Sequence, residues 1–256
     1  MVSDGNNLLM GYQEAGDEPL LIARSLPGTP VLTGRDRVHP CRDAVERFGA
    51  DVIVLDDGFQ HLSLDRQIDL ILIDSQRGFG NGRVLPAGPL REPLDALARA
   101  NAILLTKCDG PLEPCQGEVA ARRWNPDAPV FHARYKAKAL VDARGKQTSV
   151  QALRGAKVCV VAGVADPEHF LSTLCSLDAE MIEARLFPDH YRYPHRIIPR
   201  IQDMAQRADW IITTEKDMVK LAGRVSGLLA LIVEQEVIEH DAFLRLICER
   251  ITISRQ

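Results

Sequence analysis

The chain has 256 residues, 46% hydrophobic and 26% charged, with a formal net charge of −4 from 31 basic and 35 acidic side chains. These are ordinary globular values, and they exclude a disordered or low-complexity chain because enough apolar side chains are present to bury a core. The slight acidic excess argues against a general nucleic-acid binder, and the length accommodates one large domain or two small ones.

Glu18-Pro19 starts a helix running to Arg24, with Asp17 as its cap. A β-rich run follows at Thr29–Thr33, then a helix over Arg42–Phe48 that Gly49 stops. The spacing of apolar residues predicts strands over Asp51–Leu55, Leu70–Asp74 and Ala102–Thr106, with a short helix over Leu94–Ala100. Val130–Gln147 alternates small, basic and aromatic residues around an Asp142-Ala143-Arg144-Gly145 turn, which predicts a two-stranded ribbon. Beyond it come strands over Lys157–Val161, Ala179–Leu186, Trp210–Thr214 and Leu228–Val233. Helices are predicted over Pro167–Leu177, Pro199–Ala208, Lys216–Ala222 and Asp241–Arg250, the first capped by Asp166. Such alternation predicts parallel βαβ units, and the continuous apolar runs predict strands covered on both faces. The expected organisation is an α/β lobe over 1–129, a β-ribbon linker over 130–150 and a second, smaller α/β lobe over 151–256. No apolar run approaches the ~20 residues of a membrane-spanning helix. No signal segment opens the chain, and the six cysteines form no CxxC pair, so reduced thiols in a cytosolic or membrane-surface protein are expected.

Several segments carry chemistry. Val52-Ile53-Val54-Leu55-Asp56-Asp57-Gly58-Phe59-Gln60-His61 is an apolar strand ending in two carboxylates. Ligands of open α/β sheets bind beyond the carboxyl ends of strands, and an acid there can hold Mg²⁺ beside a nucleotide phosphate, the Walker B arrangement. The Gly/Pro loop from Gly78 to Pro93 brings Arg83 and Arg91, whose guanidinium forks suit phosphate. Thr106-Lys107-Cys108-Asp109 is similar to the base-reading TKxD element of GTPases, or simply leads into a helix. Phe187-Pro188-Asp189-His190-Tyr191-Arg192-Tyr193 sets His190 beside an acid in an aromatic loop, where it can take or hold a substrate proton. His190 and His195 lack a third ligand, which sets a zinc site aside. Trp210–Asp217 is a strand ending in the polar turn Thr214-Glu215-Lys216-Asp217, either a ligand-facing strand end or a helix cap.

Taken together, Ser3-Asp4-Gly5, GDEPLLIAR, VLTGRDRV, DVIVLDDGFQH, GNGRVLPAGPLREP, LLTKCD, FPDHYRY and TTEKDMVKL resemble, in this order and over almost the whole chain, the tetraacyldisaccharide 4'-kinase (lipid A 4'-kinase) family. The pairing of DDGFQH with LPAGPLREP is the most specific part of this resemblance. It implies a P-loop-kinase-like parallel sheet lobe plus a second α/β lobe joined by a β-ribbon. It further implies transfer of the ATP γ-phosphate to the 4'-hydroxyl of an acylated glucosamine disaccharide 1-phosphate, at the cytoplasmic face of the inner membrane. Carried over by residue, Asp17 is implied as general base assisted by His190, and Glu18 and Asp57 as Mg²⁺ ligands. Asp56, Gln60, Thr214, Glu215 and Lys216 are implied on the nucleotide side. His61, Arg37, Arg91 and Glu92 are implied on the substrate side.

The family's Gly-rich phosphate loop lies upstream of the segment that stands here as Ser3-Asp4-Gly5, and no G-x-x-x-x-G-K-[ST] occurs in the 256 residues. The expectation is therefore a chain that lacks its P-loop, through a misplaced start or a real truncation. As written it should bind ATP poorly, transfer phosphate slowly or not at all, and leave an exposed sheet edge. Two other readings stand beside the kinase: a non-catalytic glycolipid- or nucleotide-binding remnant, and a GTPase-like regulator.

Overall fold

The computed structural model describes residues 1–109 and 114–253. In chain order the first strands and helices are β1 (Ser3–Asp4), α1 (Tyr12–Ala15), α2 (Asp17–Ser25), β2 (Pro30–Val31), α3 (Val38–Phe48), β3 (Leu70–Asp74), β4 (Ala102–Thr106) and α4 (Gln116–Trp124). They continue as β5 (Val130–Asp142), β6 (Gln147–Thr148), β7 (Lys157–Gly163), α5 (Pro167–Ser176), β8 (Glu180–Phe187), α6 (Ile198–Gln202), β9 (Trp210–Thr214), α7 (Glu215–Leu221), β10 (Leu228–Val237) and α8 (His240–Ile253). The chain divides into two compact units, Met1–Ala50 with Ala137–Val233, and Asp51–Lys136 with Glu234–Gln256. The units thus exchange chain segments, whereas lobes over 1–129 and 151–256 would divide the chain at a single linker; the first 50 residues group with the C-terminal half.

In the first unit the strand order is β10-β9-β7-β8, all parallel, with Val158↔Trp210 and Leu228↔Ile211 fixing the register. Strand β7 is continuously apolar because both its faces are covered. Val158, Val160 and Ala162 pack with Leu140, Leu153, Phe170 and Leu174 on one side. Cys159 and Val161 pack with Tyr193, Ile201, Met204 and Leu221 on the other. Helix α5 begins where expected, with Asp166 Oδ1 accepting the His169 N–H at 3.3 Å and Pro167 in its first turn. A smaller apolar cluster of Val2, Leu20, Ala23 and Val219 seats α2 on α7. The ribbon turn forms as read: Asp142 Oδ1 accepts the Arg144 and Lys146 N–H groups, and β6 returns antiparallel to the end of β5.

In the second unit β3, β4 and the start of β5 are parallel, with Leu70↔Ala102 and Ile103↔Val130 in register. Ile73, Ile103 and Leu105 pack with Leu97 and Ala121 on one face. Ala102, Leu104 and Phe131 pack with Phe243 and Leu246 of α8 on the other.

Two expectations need correction. Asp51–Leu55 is not a strand: among the described residues no ladder pairs with it, and Val54 is 89% exposed. A strand exists only as one side of a ladder, so apolar β-branched residues alone cannot make one. Pro199–Ala208 is not one helix but 3₁₀ and α segments in succession, His195–Ile197, Ile198–Gln202 and Asp203–Gln206.

Candidate active site

Helix α2 opens a charged cluster in the first unit. Its N-cap is Gly16, at φ 86°, so Asp17 is the first helical residue rather than the cap read from the sequence. That left-handed backbone favours glycine, and the turn it makes delivers Asp17 into the protein. Both Asp17 oxygens are used: Oδ1 lies 3.0 Å from His190 Nδ1, and Oδ2 lies 2.9 Å from Lys220 Nζ. Burial acts to raise the Asp17 pKa, but the Lys220 ammonium and the His190 hydrogen bond outweigh it and hold the carboxyl below its ordinary range.

His190 reaches this position from a loop of constrained backbone. His190 and Tyr193 both have positive φ, 58° and 49°. Such strain persists only where the surroundings enforce it. Here the Phe187 and Tyr191 rings stack at 4.6 Å, Tyr193 meets both edge-on at 5.2 Å, and Arg224 donates to the Tyr193 carbonyl. Tyr193 is fully buried, and burial together with the nearby Asp217 charge pushes its phenol pKa upward.

Helix α7 supplies the cations. Thr214 caps it by accepting the Asp217 N–H at 3.1 Å, and its hydroxyl donates to Asp217 Oδ2 at 3.0 Å. Asp217 Oδ2 also accepts the Gly163 N–H at 2.7 Å, from the end of β7. Lys220, one turn further on, is 3% exposed and joins Asp217 Oδ1, at 3.2 Å, to Asp17. Lys216 faces outward and links Glu18 Oε1 at 3.0 Å to Asp189 Oδ1 at 2.9 Å, with His190 Nε2 at 3.4 Å. Burial lowers the Lys216 pKa, but the hydrogen bonds from its ammonium to Asp189 and Glu18 reverse that and raise it. Burial also raises the Asp189 pKa, and Lys216 more than offsets this to lower it. His190 Nδ1 thus faces Asp17, and Nε2 lies 3.4 Å from Lys216 Nζ and 3.6 Å from Asp189 Oδ2.

Of the residues singled out from sequence, Asp17, Glu18, His190, Thr214 and Lys216 therefore come together. Glu215 does not join them: its carboxylate accepts the Val233 N–H of β10 at 3.5 Å. Arg37, at the start of α3, donates to the Gly34 carbonyl. Asp217, read only as part of the polar turn, and Lys220, given no role, complete the cluster.

The second unit holds the remainder. Asp57, at φ 53°, pairs with Arg91 across 34 residues of chain, and that carboxylate holds the guanidinium pKa up. Asp56 and Gln60 are exposed beside it. The His61 carbonyl accepts from Arg66, which also binds Asp69 at 2.7 Å. Glu92 accepts from Arg99 at 2.7 Å, and the Arg99 guanidinium lies 4.3 Å from the Phe59 ring centroid. The Gly/Pro loop is ordered by its own polar groups: Asn81 donates to the Ala87 carbonyl and accepts the Arg83 N–H. Lys107 of the TKxD-like element pairs with Asp74 at 2.6 Å on the neighbouring strand, which commits that lysine to the sheet rather than to a base. Among the described residues no group of three or more His, Cys, Asp or Glu gathers as a metal cluster.

The profile of the family described as "LpxK: Tetraacyldisaccharide-1-P 4'-kinase" matches residues 2–252. A tetraacyldisaccharide 4'-kinase of Syntrophus aciditrophicus is 45% identical over 87% of this chain and 62% of its own length. One from Anaeromyxobacter dehalogenans is 43% identical over 93% and 65% respectively. The chain thus spans slightly less than two thirds of the length of these relatives. A crystal structure of Aquifex aeolicus LpxK in complex with ATP superimposes with a TM-score of 0.75 at 30% identity, covering 98% of this chain and 73% of that one. The α/β architecture, the ordered motifs and the profile agree, and the chain belongs to the LpxK family of tetraacyldisaccharide-1-P 4'-kinases.

Proposed function

We propose that the protein transfers the γ-phosphate of ATP to the 4'-hydroxyl of a tetraacylated glucosamine disaccharide 1-phosphate, giving the 4'-phosphate ester and ADP. The observation that carries this reading is the buried Asp17 carboxylate held from two sides, by His190 and by Lys220. A sugar hydroxyl needs a base within hydrogen-bond reach as it attacks phosphorus. Asp17 takes the hydroxyl proton as the new O–P bond forms and the bond from the γ-phosphorus to the bridging oxygen breaks. Its depressed pKa then favours return of that proton to water, restoring the carboxylate for the next cycle. His190 Nδ1 holds the carboxylate throughout, within 3.0 Å of Oδ1 and 3.2 Å of Oδ2. The Thr214–Lys216 turn stands on the nucleotide side of this reading.

Magnesium, bound to the nucleotide phosphates, supplies neutralisation of charge at the transferring phosphoryl group. Glu18 of the first unit and Asp57 of the second are the carboxylates proposed as its ligands, through hard oxygens that here pair with Lys216 and Arg91. Asp56 and Gln60 adjoin Asp57 on the nucleotide side, and His61, Arg37, Arg91 and Glu92 are assigned to the substrate. No described helix is long and apolar enough to cross a membrane. The acyl chains of the substrate stay in a bilayer, so the reaction is assigned to the cytoplasmic surface of the inner membrane.

The test is phosphate transfer from γ-labelled ATP to the purified disaccharide in detergent, using the protein as produced from its gene, with and without Mg²⁺. Mg²⁺-dependent label on the lipid supports the reading. ATP binding and lipid binding without transfer would overturn it.

A further inference from the structure

We infer that Lys220, anchored by Asp217, is the residue that positions the Asp17 carboxylate, an inference that rests on reading Asp17 as the acceptor of the sugar proton. The contacts run in one line inward from that acid. Asp17 Oδ2 receives Lys220 Nζ at 2.9 Å, and the same ammonium lies 3.2 Å from Asp217 Oδ1. The other Asp217 oxygen receives the Gly163 N–H and the Thr214 hydroxyl, so this carboxylate is fixed by main chain and cap together. Asp217 is fully buried. A carboxylate held at Oδ2 by main chain and cap cannot rotate without breaking those bonds, and its Oδ1 therefore sets where Lys220 ends.

Lys220 in turn decides which way Asp17 faces. It takes Oδ2 from the buried side, and His190 Nδ1, on a largely exposed imidazole, straddles the carboxylate at 3.0 Å from Oδ1 and 3.2 Å from Oδ2. The carboxylate plane is thereby set between an inner cation and an outer imidazole.

Joining α2 to α7 does not require this ion pair. Val2, Leu20, Ala23 and Val219 already pack those helices together. Buried ion pairs are poor glue, since well-packed neutral replacements are often as stable. A cation against the base also weakens it as a base. For phosphoryl transfer that loss is tolerable: the transition state is loose, and positioning with charge stabilisation accounts for most of the rate. Alignment is where the rate is sensitive, because a displacement of about 1 Å can cost about 100-fold.

The test compares wild type with Lys220→Met/Asp217→Asn, which removes one buried charge of each sign and keeps an acceptor for the Gly163 N–H. The expected result is a fall in kcat of about 100-fold with KM for ATP within about twofold, the signature of an interaction needed only in the transition state. A crystal structure of the variant is expected to show Asp17 turned from His190. If the double variant does not fold, the single Asp217→Asn leaves the Lys220–Asp17 pair in place, and a kcat loss of about 10-fold at unchanged KM is expected. Unchanged kcat overturns the inference, as does a kcat loss that follows thermal stability while the Asp17–His190 contact persists in the crystal. If wild type itself transfers no phosphate, the kinase reading falls, and the crystallographic comparison alone decides the placement of Asp17.

Discussion

Replacing Asp17 by Asn removes a charge and a proton acceptor while leaving the shape of the side chain. In the folded protein the amide oxygen can still receive Lys220, and Lys220 keeps its second partner, Asp217, at 3.2 Å. No buried ion is left alone, so the stability cost is the conversion of charge-assisted hydrogen bonds to neutral ones, about 1–3 kcal/mol. For a chain of this size that corresponds to a melting-temperature loss of roughly 2–12 °C. The catalytic cost is larger, because the general base contributes about 10²–10⁴ in rate. The assay is steady-state phosphate transfer at saturating lipid alongside differential scanning fluorimetry. The expected outcome is a kcat loss of about 10²–10⁴ with KM for ATP nearly unchanged. A variant that folds and turns over within about threefold of wild type would refute the role of Asp17 and with it the reading of the cluster as a phosphotransfer site.

Three further outcomes follow from named contacts. A Cβ on Gly163 would lie 3.0 Å from the Tyr193 hydroxyl, 3.2 Å from the Pro188 carbonyl and 3.3 Å from Asp217 Oδ1. Gly163→Ala should therefore shift the His190 loop, costing about 1–3 kcal/mol by chemical denaturation and lowering transfer by more than stability alone explains. Leu174→Ala empties a fully buried position between β7 and α5 and should cost about 2–5 kcal/mol in urea unfolding; less than 1 kcal/mol would contradict the packing described. Glu239 accepts the His132 main-chain N–H at 2.8 Å and the ring Nδ1–H at 2.7 Å. Burial raises its pKa, and the His132 bonds more than offset this to lower it. A depressed folded pKa means stability that is present above the ordinary glutamate range and lost as pH falls through the folded value. Glu239→Gln should thus be less stable than wild type at pH 7, by about 1 kcal/mol given its partial exposure, and the gap should close in acid. A gap independent of pH would show that the pair is not what holds α8.

The apolar runs of β4, β7 and β9 were legible because they are buried on both faces. Strand β7 was readable from Lys157 onward, and its end at Gly163 marks where its N–H leaves the ladder for Asp217. The same reading failed at Val52–Leu55, since composition reports the appetite of a segment for a neighbour and not the neighbour itself. Strand β10 ran past its expected end at Val233 to Val237 because β5 lies beside it in the sheet, with Arg134 and Lys136 pairing with Glu236. In the cluster, Asp17 was named through the family resemblance alone, since by itself it read as a helix cap, whereas His190 and Lys216 were also marked by standing in an aromatic loop and a strand-end turn. Lys220 could not be named, since a lysine within a helix ordinarily reads as solvated. One signal was present: Thr214, Asp217 and Lys220 recur at intervals of three on a short helix, with Lys220 flanked by Val219 and Leu221.

The charges in this cluster are arranged against stability rather than for it. Asp217 and Lys220 have 0% and 3% of their surface exposed, and taking two ions from water costs several kcal/mol each before their attraction returns any of it. An apolar pair would serve the core at least as well, and the residues around them, Met218, Val219 and Leu221, show that α7 is otherwise built to be buried. What the ions provide and an apolar pair cannot is a direction. Lys220 presents a cation at one point, Asp217 pins that point to the end of β7, and Asp17 must align to it. The strained backbone at His190 carries the same logic on the outer side, where aromatic packing holds an unfavourable φ so that one ring nitrogen meets the Asp17 carboxylate. Inner ion pair and outer strain each lower the stability of the fold, and both constrain the same two oxygens of Asp17, which is the expected pattern where the geometry of an acid matters more than the energy of holding it.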